Sequence, residues 1–144
     1  MKINVKKLDG RAILPTYGSD FSAGADLYAL TDADIKIAPR ETVLIHTGIS
    51  IEIPVGYGGF IYARSGLSTR CGLAPANKVG VIDADYRGEI MVPLYNQSSE
   101  AQTVSCGDRI AQLVIAPFLK AEFELCEELD ATDRGASGFG STGK

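Results

Sequence analysis

Tryptophan is absent from this 144-residue chain, histidine occurs once and cysteine three times. Each scarcity removes a class of chemistry. Cys71, Cys106 and Cys126 lie far apart, are odd in number and form no CxxC pair. They argue for reduced thiols and against a disulfide framework or a zinc site. A lone histidine builds no histidine metal cluster, and a Ser-His-Asp apparatus would have only His46 to serve as its base. His46 itself, between Ile45 and Thr47 in a strand-like run, reads as a satisfied structural residue. No basic tract or basic helix is present and the net charge is −4. General nucleic-acid binding, which needs a positive surface to displace counterions, is therefore disfavoured. A small anionic ligand is not, because it needs only a few local cations and amides. No apolar run has transmembrane length, and Met1-Lys2-Ile3-Asn4 does not open a charged-then-apolar leader. The expectation is a cytoplasmic protein with no membrane partner.

What is present is ordinary for one soluble domain: 45% apolar and 22% charged residues. Short β-like runs recur from residues 3–8 to residues 121–129 with turn signals between them, those at residues 42–54 rich in valine and isoleucine. Such spacing predicts an all-β sandwich or barrel rather than βαβ units. One short helix is expected at Ser65–Cys71, with Ser65 or Ser68 as its N-cap. The apolar pattern stops after Leu129, which divides the chain into a β domain over residues 1–129 and a tail over residues 130–144. That tail, DATDRGASGFGSTGK, has too little apolar surface to order itself. By itself it suits a frayed terminus. Its Arg134, Phe139 and following hydroxyls also suit a lid that closes over a phosphorylated, aromatic ligand.

Four further stretches carry polar groups that a plain strand does not need. In residues 77–89, NKVGVIDADYRGE, an apolar step runs into Asp83 and Asp85, followed by Tyr86, Arg87 and Gly88. This suits an ordinary hairpin built of turn formers, or a tight turn in which the backbone comes close to something or takes positive φ. Asp26, among small residues at the start of a strand, suits a turn or the water shell of a magnesium ion, which prefers oxygen ligands and keeps several waters. Arg64-Ser65-Gly66, at a strand end and helix start, offers amides, a hydroxyl and a guanidinium to an anion. Gln112 sits among Ile110, Leu113 and Val114 and needs a partner, internal or ligand. Arg109 beside Asp108, and Arg87 beside Glu89, read as local ion pairs.

Taken in order, AGADLYA at residues 23–29, RSGLS at 64–68, NKVGVIDADYRGE at 77–89, GDRIAQLV at 107–114 and RGASGFGSTG at 134–143 resemble the five motifs of the trimeric deoxyuridine triphosphatases (dUTPases). The resemblance spans nearly the whole chain, and five motifs in register are specific where one is weak. It implies a jelly-roll-like β subunit that forms a homotrimer with shared active sites, the tail of one copy closing over another. It implies hydrolysis of dUTP to dUMP and pyrophosphate by water attack on the α-phosphorus, with Mg²⁺ on the triphosphate. Asp83 would then be the general base. Asn77 and the backbone of Gly80, Val81 and Ile82 would read uracil, and Tyr86 would exclude a 2′-hydroxyl. Arg64, Ser65, Gly66 and Gln112 would hold the phosphates, and Asp26 would reach the magnesium through water. From the tail, Arg134 would meet the γ-phosphate, Phe139 would stack on uracil, and Gly140, Ser141 and Thr142 would close on the outer phosphates. Two alternatives stand beside this: a relative of dCTP deaminase, which shares the fold but needs a glutamate acting on cytosine, and a nucleotide-binding homologue without turnover.

Overall fold

β-branched side chains favour a pleated, half-buried surface, and their alternation decides which face goes inward. The structure, a computed structural model, describes residues 1–138. In chain order the elements are β1 (Asn4–Lys7), β2 (Thr16–Tyr17), β3 (Ala25–Tyr28), β4 (Ile35–Ile37), β5 (Thr42–His46), β6 (Ile49–Glu52), β7 (Tyr57–Tyr62), α1 (Ser65–Cys71), β8 (Leu73–Pro75), β9 (Gly80–Ile82), β10 (Met91–Asn96), β11 (Gln102–Val104) and β12 (Arg109–Pro117). The expected all-β architecture with one short helix is what forms.

Every pairing is antiparallel. The largest sheet has the order β2-β3-β12-β7-β9, and a second runs β5-β10-β8. Two strand pairs, β1-β6 and β11-β4, complete the described body. Neighbours far apart in sequence, with β12 inserted between β3 and β7, give the jelly-roll-like character. One buried cluster draws on all four units: Leu27, Ile61 and Leu113 from the first sheet, Ile45 and Val92 from the second, with Ile51 and Val104 from the pairs. β10 shows how period two builds it, since Val92, Leu94 and Asn96 point inward while their neighbours do not. Asn96 is fully buried yet satisfied. It donates to the carbonyls of Ile37 (3.0 Å) and Glu100 (2.7 Å) and accepts from the amide (2.9 Å) and hydroxyl (2.7 Å) of Ser98.

Three local expectations are corrected. Residues 121–129 form no strand, and Phe123 and Leu125 are almost fully exposed. A strand's amides and carbonyls need a partner edge, and none is paired to this segment within the described body. The helix begins at the expected place, but its N-cap is Arg64, without a side-chain cap. Its end follows the usual rule: Gly72, at φ 67°, closes it with its amide on the Ser68 carbonyl. Finally, neither expected ion pair forms between sequence neighbours. Arg109 bonds Asp26, whereas Arg87 lies 3.6 Å from Glu52 and Glu89 binds His46.

Candidate active site

β9 is the edge strand of the large sheet, paired to β7 through Gly59↔Ile82, Phe60↔Val81 and Ile61↔Gly80. Its edge position leaves the chain on either side free to fold back, and a cleft of about 250 Å³ opens there. Asn77, Gly80, Val81, Ile82, Asp83 and Tyr86 all line it. The approach to β9 is tightly wound, with Lys78 at φ 65° and the Val79 amide on the Asn77 carbonyl at 2.7 Å. A non-glycine residue in the left-handed region costs about 1 kcal/mol, and such strain is found where a backbone is shaped for function. After β9 the chain turns at once, the Tyr86 amide bonding the Asp83 carbonyl at 3.1 Å. The Tyr86 hydroxyl donates to the carbonyl of Glu89 at 2.9 Å.

Gly88 is needed for that ring. A methyl group there would overlap the Tyr86 hydroxyl and lie 2.5 Å from its Cζ. Close approach, and not positive φ, is therefore what this glycine permits. The turn is also fastened from outside. Ser50 donates to the Arg87 carbonyl at 2.8 Å and Thr47 to the Ile90 carbonyl, while within the turn Arg87 donates to the carbonyls of Ala84 (2.7 Å) and Tyr86 (2.9 Å). Glu89 receives the Gly48 amide at 2.7 Å and faces His46 Nδ1 at 2.8 Å. Burial pushes the Glu89 carboxyl up, but these bonds outweigh it and hold the group below its ordinary value.

A second group gathers by register. Gln112 on β12 stands opposite Asp26 on one side and Tyr62 on the other, and Arg64 follows Tyr62 by two residues. Asp26 is 4% exposed. Its Oδ1 accepts from Arg64 Nε at 2.7 Å and, at the limit of a hydrogen bond, from Gln112 Nε2 at 3.5 Å; its Oδ2 accepts from Arg109 Nη1 at 3.2 Å. A carboxylate offers about four lone-pair sites, so Asp26 has room for one more donor, such as a water, but not for a metal ion in place of its guanidinium partners. Among the described residues no cluster of three or more His, Cys, Asp or Glu side chains is arranged to hold a metal. A magnesium ion here fits only as a guest of a ligand that brings its own oxygens. Ser65 and Gly66 open α1 beside this group, with Arg70 donating to the Gly66 carbonyl at 3.3 Å.

Both groups lie on or beside the large sheet, but the lining of the cleft includes none of Asp26, Arg64, Ser65, Gly66 and Gln112. β3 and β9 are three strand spacings apart, about 14 Å. Arg134 lies in neither group, its Nε donating to the Ser137 carbonyl at 2.9 Å in an exposed turn. Phe139, Gly140, Ser141 and Thr142 lie outside the described residues. Sequence reasoning missed Leu44, Ile61, Ile90 and Met91, which line the cleft but carry no signal beyond being apolar. It also missed the role of Glu89, which it had assigned to Arg87.

Comparison with known proteins agrees with this geometry. A sequence model of the dUTPase family matches residues 10–143. The deoxyuridine 5'-triphosphate nucleotidohydrolase of Desulfitobacterium hafniense (strain DSM 10664 / DCB-2) is 51% identical over 144 residues, covering 99% of this chain and 95% of that protein. The protein of the same name from Nautilia profundicola is 49% identical over 144 residues, covering 100% of both. The solved dUTPase of Staphylococcus bacteriophage 80alpha with dUPNHPP superposes with a TM-score of 0.87 at 29% identity, covering 99% of each chain. With the family model spanning nearly the full length and relatives of about half identity, the chain belongs to the dUTPase family.

Proposed function

We infer that this protein hydrolyses dUTP to dUMP and pyrophosphate, which keeps uracil out of DNA and supplies dUMP. The observation that carries this is the meeting of Asn77, Gly80, Val81, Ile82, Asp83 and Tyr86 around one cleft at the β9 edge. Each has work to do there. An amide side chain with fixed backbone groups accepts from uracil N3–H and donates to O4, a pattern that cytosine's amino group contradicts. The exposed Asp83 carboxylate orients the attacking water and takes its proton. Tyr86 lies against the deoxyribose and leaves no room for a 2′-hydroxyl.

The phosphates belong to the second group, with Ser65, Gly66 and Gln112 as donors and Arg64 neutralising charge. Asp26 holds Arg64 in place and reaches only a water of the magnesium. Magnesium, carried by the triphosphate oxygens, supplies further neutralisation of phosphate charge. The separation of the two groups supports a homotrimer with shared sites, in which one copy's cleft faces another's Asp26 group. The exposed apolar segment of residues 118–129, with Leu119, Phe123, Leu125 and Leu129 uncovered, suits burial against a further copy. In this arrangement residues 1–129 are the body. Residues 130–144 are a lid whose Arg134, Phe139, Gly140, Ser141 and Thr142 close over a neighbouring site. No helix among the described residues is long and apolar enough to cross a membrane, in keeping with work on a nucleotide pool in the cytoplasm.

Asp83→Asn tests the assignment. Nucleotide binding should persist while pyrophosphate release falls by about 10²-fold or more, the scale of a lost general base. Near-normal turnover would remove Asp83 from its role. Ammonia from dCTP would replace the reaction altogether, and tight dUTP binding without pyrophosphate would mark a binding protein.

A further inference from the structure

The residue left unexplained by the roles above is Glu89. It lines the cleft beside Tyr86, yet its carboxylate turns away from it. Both oxygens are used on the β5–β6 turn: Oε1 by the Gly48 amide at 2.7 Å and Oε2 by His46 Nδ1 at 2.8 Å. Gly48 stands at φ 68°, with the side chains of Leu30 and Ala12 where a Cβ would go, so this anchor point accepts no other residue without strain. The main-chain carbonyl of the same Glu89 receives the Tyr86 hydroxyl at 2.9 Å.

One residue thus joins the β5–β6 turn, through its side chain, to the Tyr86 ring, through its carbonyl. The neighbouring bonds, Ser50 to Arg87 and Thr47 to Ile90, hold the chain on either side but do not touch the ring. We propose that Glu89 is a positioning residue: its carboxylate fixes the height of the Tyr86 ring and thereby sets how strongly a 2′-hydroxyl is rejected. The proposal rests on the dUTP-hydrolysing reading, since it concerns discrimination within that reaction. It predicts a loss of selectivity rather than of stability alone.

The experiment compares pyrophosphate release from dUTP and from UTP by the full chain and its variants, with Mg²⁺ at neutral pH. Glu89→Ala should raise the UTP-to-dUTP ratio of kcat/KM by about tenfold, within the roughly 10²-fold that a 1 Å misplacement can cost. Glu89→Gln should restore most of the wild-type ratio. Its carbonyl oxygen still accepts from Gly48, and its NH₂ donates to a neutral His46, whose tautomer adapts. Val104→Ala, in the core on β11, lowers the thermal midpoint without moving the ratio, so it separates instability from misplacement. If Glu89→Ala does not fold, Glu89→Asp replaces it: one methylene shorter, it keeps the charge but cannot span both partners, and the ratio should rise in the same direction. An active wild type whose ratio is unmoved in these variants overturns the proposal alone. A wild type that releases no pyrophosphate from dUTP overturns the functional reading and the proposal with it.

Discussion

Replacing Gly88 with alanine is the sharpest test of how the cleft is built, because stability and function should respond differently. The added methyl would lie 2.5 Å from Tyr86 Cζ and 2.9 Å from Cε2, where ordinary contact begins at 3.4 Å. The side chain must therefore withdraw by about 1 Å, its hydroxyl most, and it is free to, since the obstructing atoms are the far end of a side chain that is 43% exposed. The stability cost is then little more than the Tyr86–Glu89 hydrogen bond, about 1 kcal/mol. For a chain of this length that lowers the thermal midpoint by about 3 °C. The kinetic cost is larger, because a displacement near 1 Å at a positioning group is worth up to about 10²-fold. Calorimetry alongside steady-state pyrophosphate release from dUTP and UTP measures both. The expected result is a small midpoint shift with a marked fall in kcat/KM for dUTP and a weakened preference over UTP. A midpoint lower by more than about 10 °C, well above the shift expected from one hydrogen bond, with unchanged selectivity would refute the reasoning. It would mean that Gly88 serves the fold and not the ring.

Asp26→Ala should cost about 3–5 kcal/mol in urea unfolding, since it strands the largely buried Arg64 without its partner. Arg109→Ala, on a side chain 52% exposed, should cost at most about 1 kcal/mol; equal losses would contradict the burial argument. The Glu89 carboxyl titrates below its ordinary 4.5. Its contribution is therefore complete above that value and is lost as the pH falls through the lower folded value. In thermal scans across this acid range, Glu89→Gln should show a flatter decline than wild type; parallel curves would exclude the linkage. A chain ending at residue 129 should remain folded but lose about 10²-fold in turnover, the scale of removing one preorganised donor. Full activity in that truncation would dismiss the lid.

Much of the site was legible because its demands are local. Asn77, Gly80, Val81, Ile82, Asp83 and Tyr86 lie within ten residues, so a strand and a tight turn suffice to bring them around one cleft. The helix at Ser65–Cys71 was legible for the same reason, its end marked by Gly72. Misreadings came where partners are distant. Arg109 and Asp108 are neighbours in sequence, but the Asp108 carboxylate is taken up in the preceding turn by the Ser105 amide at 2.8 Å, and Arg109 instead meets Asp26 across the sheet. Glu89 found His46 and Gly48 rather than Arg87, for which no spacing gives a hint. The alternating apolar pattern of residues 121–129 is that of a strand, but a pattern supplies no partner edge, and the segment stays unpaired beside its own body.

The amino-acid order alone therefore determined the β-rich class, the position of the helix, the turn chemistry of residues 77–89 and the five motifs that identify the family. These depend on propensity, period and short-range sterics, which a chain carries with it wherever it folds. Tertiary structure decided which groups meet. It placed Gln112 opposite Asp26, set Arg64 and Arg109 on one buried carboxylate, and tied the turn after β9 through Glu89 to Gly48. It also set β3, which carries Asp26, about 14 Å from β9 across the sheet. Register across strands from distant parts of the chain is fixed by the shared core, and only the closed sheet specifies it.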